Sequence, residues 1–245
     1  MNQETPAAEP MGQFDRLTGA LFDPKPAFAD IAARPGGWWL PLVLLIVLTA
    51  GYTILYGERV GWERFMREQL AESPQAEQLS AEQREQAIRQ QVKIVTYLAP
   101  VQSVLVWPVL ALILGGVFLF VFNVLLGTDL RFRQCFALTC YSLLPFTVNT
   151  VVAIVLMFLK DPADFDIQNP VASNLGAFLD PNTVPAWLVS VGGSIDAFSI
   201  WVLLLLATAF SAGARKLTWG KALTWVVAAW VVWLVVKGAW AWIWS

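Results

Sequence analysis

The chain contains no histidine. That removes at once the commonest general base near neutral pH and the commonest metal-ligating side chain. Cysteine is nearly absent too, with Cys135 and Cys140 the only two. Five residues apart on a helix, they point ~140° away from each other, so the expectation is two buried reduced thiols and no internal disulfide. Charge is scarce: 14% of the 245 residues are ionised, where a soluble domain carries about 25%. The net charge is −2, and the basic residues are scattered between apolar runs. A nucleic-acid partner, which needs a concentrated basic surface, is therefore excluded. Catalytic signatures are missing as well. There is no G-x-S-x-G with a histidine partner, no H-E-x-x-H, no P-loop and no G-x-G-x-x-G. A paired-aspartate intramembrane protease needs two buried acids on neighbouring spans, and Asp196 is the one candidate. The expectation is a protein that is not an enzyme, with no catalytic, cofactor-binding or metal site and no cofactor.

What the chain does have is apolar length. Hydrophobic residues make up 57% of it, with 13 tryptophans and a positive mean hydropathy. Uncharged runs approach the ~20 residues that one bilayer crossing needs. In hydrocarbon the backbone must satisfy its own hydrogen bonds, so such runs are helices. The predicted fold is all-α, a polytopic integral membrane helical bundle with about five transmembrane helices.

The first 13 residues read as a disordered leader rich in Pro, Ala and Glu, and residues 14–245 as one membrane domain. Acidic residues before the first apolar run argue against a cleavable signal peptide. Over 14–35, Phe14, Leu17, Leu21 and Phe22 fall at helical spacing. Asp23-Pro24 then offers an N-cap and a proline at the first helical position. The second short helix carries Phe28 and Ile31 and stops at Arg34-Pro35-Gly36-Gly37. Two amphipathic pieces ahead of a span suit the membrane surface; packing against the protein's own loops is the alternative.

Spans are expected at about 38–56, 101–126, 136–159, 195–213 and 222–244. Residues 57–93 switch to Glu, Gln and Arg and read as an extramembrane helical hairpin. Ser73-Pro74 breaks it, and Ser80 with Gln83 forms a capping box. Pro100 and Pro108 are expected to mark where the second span begins, and Gly115-Gly116 to permit a close helix approach. Pro145 interrupts the third span, leaving two readings: one interrupted span, or an interfacial helix up to Ser142 and a span from Leu143. Ala207/Ser211 and Ala209/Gly213 give two small-xxx-small steps in the fourth. Basic residues divide evenly between the two sides. The short loops holding Arg131, Arg133, Arg215, Lys216 and Lys221, set against an acidic 160–186 loop, favour an N-terminus inside.

Polar groups in lipid are expensive, so they mark candidate functional positions. Asp196, in the first turn of the fourth span, complements the helix dipole in its structural reading. Asn123 and Asn149 suit interhelical hydrogen bonding. Lys237 is expected to snorkel to the interface.

Several islands together resemble a known family. Asp23-Pro24-Lys25-Pro26-Ala27-Phe28, Ile31, Arg34-Pro35 and Trp38-Trp39-Leu40-Pro41-Leu42 are similar to the N-terminal signature of the bacterial branch of the Ypt-interacting-protein (Yip) family. Gly127 with Tyr141-Ser142-Leu143-Leu144-Pro145 resembles its third-span signature, and Ile195–Trp201 with Lys221-Ala222 its fourth-span region. The resemblance covers about residues 14–240. It implies a five-span multi-pass protein with a cytosolic N-terminus, in the bacterial inner membrane, and adds Tyr141 and Pro145 to the candidate interaction residues. Eukaryotic members are linked to Rab-type GTPases and act through protein and membrane contacts. Their Asp-Leu-Tyr-Gly-Pro motif is absent here, so GTPase binding is not implied. The expected role is non-enzymatic: a scaffold, membrane-organising or protein-interaction part, with the lipid bilayer, other membrane proteins or self-association as partners. A transporter or channel subunit is the alternative, motivated by Asp196, Asn123, Asn149 and the Pro/Gly breaks.

Overall fold

A computed structural model describes residues 9–71, 79–180, 183–214 and 216–243. Most of the expected leader, the Ser73-Pro74 break and Trp244 lie outside the described residues. Ten α-helices occur among those described: α1 (Gln13–Phe22), α2 (Pro24–Ala33), α3 (Trp39–Arg59), α4 (Trp62–Ala71), α5 (Ala81–Phe120), α6 (Phe132–Ser142), α7 (Pro145–Leu159), α8 (Ala186–Gly192), α9 (Ala197–Gly213) and α10 (Trp219–Ile243). Four segments are long and apolar enough to cross a membrane: Trp39–Arg59, Ala81–Leu125, Phe132–Leu159 and Trp219–Ile243. The shorter apolar α9 has 17 residues, ~25 Å of helix. An all-helical polytopic membrane bundle is what these elements build.

Local chemistry explains several boundaries. Ser80 Oγ accepts from Gln83 N at 3.2 Å while Gln83 Oε1 accepts from Ser80 N at 2.9 Å, so the box that opens α5 is reciprocal. Pro24 stands at the start of α2, but the Asp23 side chain makes no cap bond. The Asp23 N–H instead donates to Gly19 O at 2.8 Å and closes α1. Pro100 and Pro108 lie inside an uninterrupted 40-residue helix, so neither breaks it. A proline deletes one ladder bond, and within a membrane bundle side-chain hydroxyls and neighbouring helices can re-satisfy the freed backbone groups. α5 ends in a π-turn, Val121–Leu125.

The third apolar segment is broken, as Pro145 suggested. Its halves α6 and α7 meet at Leu143-Leu144, with Pro145 the first residue of α7. α6 is packed inside the protein, with Cys135 through Ser142 all buried. Both cysteines are free thiols within that run.

The chain forms two compact units. The first comprises Met1–Pro41, Ala111–Pro145 and Ile200–Val232. Its core stacks Phe118, Phe122 and Phe210, with the Phe122 and Phe210 rings 4.7 Å apart. Gly115 admits α6 closely: a Cβ there would lie 3.3 Å from Phe136 Cα, whereas one on Gly116 would meet nothing. Gly213 faces Leu138 and Leu130 in the same way, so one small-residue step of α9 serves packing within the chain.

The second unit comprises Leu42–Leu110, Phe146–Ser199 and Trp233–Ser245. Tyr56, Trp62, Met157 and Phe165 form its buried cluster. Arg59 Nε donates to Met157 O at 2.8 Å and Nη2 to Phe158 O at 3.2 Å, covering the last carbonyls of α7 with a cation. Arg67 pairs with Glu63 and with Glu85, its Nη2 lying 3.0 Å from Glu85 Oε2. Those hydrogen bonds, Glu85's first, push the Arg67 guanidinium above its ordinary pKa.

Candidate functional site

The densest polar constellation in the first unit joins α1, α2 and the turn after α2 to α6. Arg16 is 4% exposed on the inner face of α1. Its Nε donates to Asp30 Oδ2 at 2.7 Å and its Nη1 to Gly36 O at 3.0 Å. Asp30 Oδ1 also pairs with Arg34, four residues on at the C-cap of α2. Gly37 takes φ +72°, and a Cβ on it would stand 1.9 Å from Gln13 Oε1. Only glycine meets both conditions. From α6, the fully buried Tyr141 donates its hydroxyl towards Gln13 Oε1 at 3.1 Å and Gly37 O at 3.2 Å. Gln134 Nε2 donates to Ala32 O at 3.0 Å, and Arg133 Nε to Pro35 O at 3.2 Å. The ion pair thus ties α1 to α2, and α6 holds the two helices through Gln13 and the carbonyls of Ala32, Pro35 and Gly37.

Many of these residues stand within one domain signature. The Yip1 domain matches residues 18–242. The chain belongs to the Yip1 domain family. No curated protein and no solved structure matches the chain. Within the Yip1 domain fall Asp30, Arg34 and Tyr141, while Arg16 precedes its first matched residue by two positions.

The other candidates of the Yip1 domain are not gathered into one site. Pro145 opens α7 behind the buried end of α6. Asn123, expected to bond between helices, instead pins its own loop. Its Nδ2 donates to Leu130 O at 2.7 Å, and its Oδ1 accepts from Leu130 N at 3.0 Å and Thr128 Oγ1 at 2.7 Å. An amide matches a backbone N–H and C=O together, which explains this choice in a chain that turns straight back towards α6.

In the second unit, Asp196 caps α9. Its Oδ1 accepts from Phe198 N at 2.8 Å and Ser199 N at 3.0 Å, and its Oδ2 accepts from Ser199 Oγ. Asn149 Oδ1 is buried with no hydrogen-bond partner among the described residues, so the interhelical bond expected of it is not made by that oxygen. Lys237 Nζ donates to Ser190 O at 2.8 Å and Ser194 Oγ at 2.6 Å, at the end of α8, where helix C-terminal carbonyls favour a cation.

Sequence reasoning missed Arg16, Asp30 and Gln13. The local pattern gave no signal: Asp30 stands ~160° from Phe28 around α2, and its burial comes from α1 packing over it.

Proposed function

We propose that this Yip1-domain protein is a non-enzymatic scaffold of the membrane, acting by contact with other membrane proteins or with further copies of itself. The observation that supports the reading is the employment of its polar side chains. Asp196 caps a helix, Asn123 pins a loop, Lys237 holds the end of α8, and Arg16 with Asp30 clamps the N-terminal helices. A transport pathway would need such groups turned towards a solute. No cluster of three metal-capable acids or thiols occurs among the described residues. The resemblance to the bacterial branch supports placement in a bacterial inner membrane with the N-terminus inside.

The test is affinity purification of the full chain from native membranes after cross-linking in situ. A reproducible set of membrane proteins, or a cross-linked homo-oligomer, is expected. Recovery of the chain alone as a monomer, together with solute flux in proteoliposomes, would replace this reading with transport.

A further inference from the structure

α1 is turned inside out compared with a water-facing surface helix. Its inner face carries Arg16 and Ala20, both buried. Its outer face carries Phe14, 78% exposed, Thr18, and Phe22, 79% exposed, with Leu21 half-buried beside them. At ~100° per residue these four positions share an arc of ~100°. Charged Asp15 borders that arc and Asp23 follows it. Ordinary amphipathicity places the charge outside and the rings inside.

The helix is not free to roll its rings inward, because Arg16 is fixed to Asp30 and Gly36 O. Its level is fixed as well. Gln13 lies against Gly37 and receives the Tyr141 hydroxyl. Gly37 precedes Trp38 and Trp39, the aromatic pair that opens the first crossing, and tryptophans there favour the headgroup level. Phe14 follows Gln13 directly. The same unit also exposes the apolar Ile113, Val117, Phe120 and Val232, as a lipid-embedded unit does. Lys25, exposed three residues after Phe22, supplies a cation for the headgroup phosphates.

We propose that the Phe14–Thr18–Leu21–Phe22 face of α1 docks on the bilayer, seated at the boundary between headgroups and acyl chains, and that the Arg16–Asp30 clamp holds it at that depth. Short helices of this kind lie in the interface plane with their apolar face in lipid. The inference goes beyond the scaffold reading and holds whether or not a protein partner exists.

Site-directed spin labelling of the full chain in phosphatidylcholine/phosphatidylglycerol vesicles tests it. Labels at Phe14→Cys and Phe22→Cys are compared with labels at Asp15→Cys and Asp23→Cys, in a Cys135→Ala/Cys140→Ala background. Labels at 14 and 22 are expected to collide with oxygen in preference to a water-soluble nickel chelate, by a ratio several-fold above that at 15 and 23. Equal nickel access at all four positions would overturn the proposal by placing the stripe in water. Shielding of 14 and 22 from both reagents would overturn it in favour of a protein partner or a second copy. If the cysteine-free chain fails to fold, the same labels on the native background give the same comparison, since Cys135 and Cys140 are buried from the reagent.

Discussion

Burying an arginine against an aspartate strips both of water, and the loss is recovered only where each finds a nearly full set of partners. Arg16 finds Asp30 and Gly36 O; Asp30 finds Arg16, Arg34 and the Met11 N–H at 3.4 Å. Asp30→Ala leaves the Arg16 cation buried without a counter-charge, a loss on the order of 3–5 kcal/mol. Thermal unfolding in detergent reads that loss, and protease cleavage ahead of Trp38 reports release of α1 and α2. The Arg16→Leu/Asp30→Leu double variant is expected to recover most of the stability. Arg34→Ala, removing a side chain 42% exposed, is expected to cost less than either buried partner. Equal stability of Asp30→Ala and the native chain would deny the clamp. At the other candidate acid, Asp196→Ala removes an N-cap and is expected to cost about 1 kcal/mol, whereas Asp196→Asn, still a capping residue, stays near native stability. Unfolding midpoints of the two variants separate a cap from a charge requirement.

Among the elements, the glycine pair of α5 gives a sharp asymmetry. Gly115 faces the α6 backbone and Gly116 faces open space. Gly115→Leu is therefore expected to push α6 away and lower the unfolding temperature by several degrees, while Gly116→Leu leaves it unchanged or raised, as a helix-favouring residue replaces glycine. Similar melting of both variants would mean that α5 and α6 do not approach at this point. That a close approach occurs near this pair is legible in the residues themselves, as are the apolar runs and the reciprocal Ser80–Gln83 box, because each depends on neighbours in sequence. Which glycine faces α6 is not, since it depends on the rotation of α5 against a partner far along the chain. The same limit hid Lys237, whose partner Ser194 is 43 residues away, and Arg16, whose acid lies across the Asp23-Pro24 turn. Pro100 and Pro108 show the same limit from the other side: local propensity disfavours a helix interior there, yet α5 runs through both.

For the whole molecule, the count of crossings is the physical claim that organises everything above. α9 is only 17 residues long, and the third apolar segment is broken at Leu143-Leu144, so both must act as full crossings if five are to be made. Parity detects the loss of either one without any assumption about which side the N-terminus occupies. Between the α4–α5 segment and the C-terminus lie four crossings in a five-span protein and three if α9 fails to cross. Impermeant thiol labelling in right-side-out and inverted vesicles, at a cysteine placed in the α4–α5 segment and another placed after Ile243, reads the two sides directly. Labelling of both positions from the same side is the predicted result; labelling from opposite sides would contradict the five-span fold.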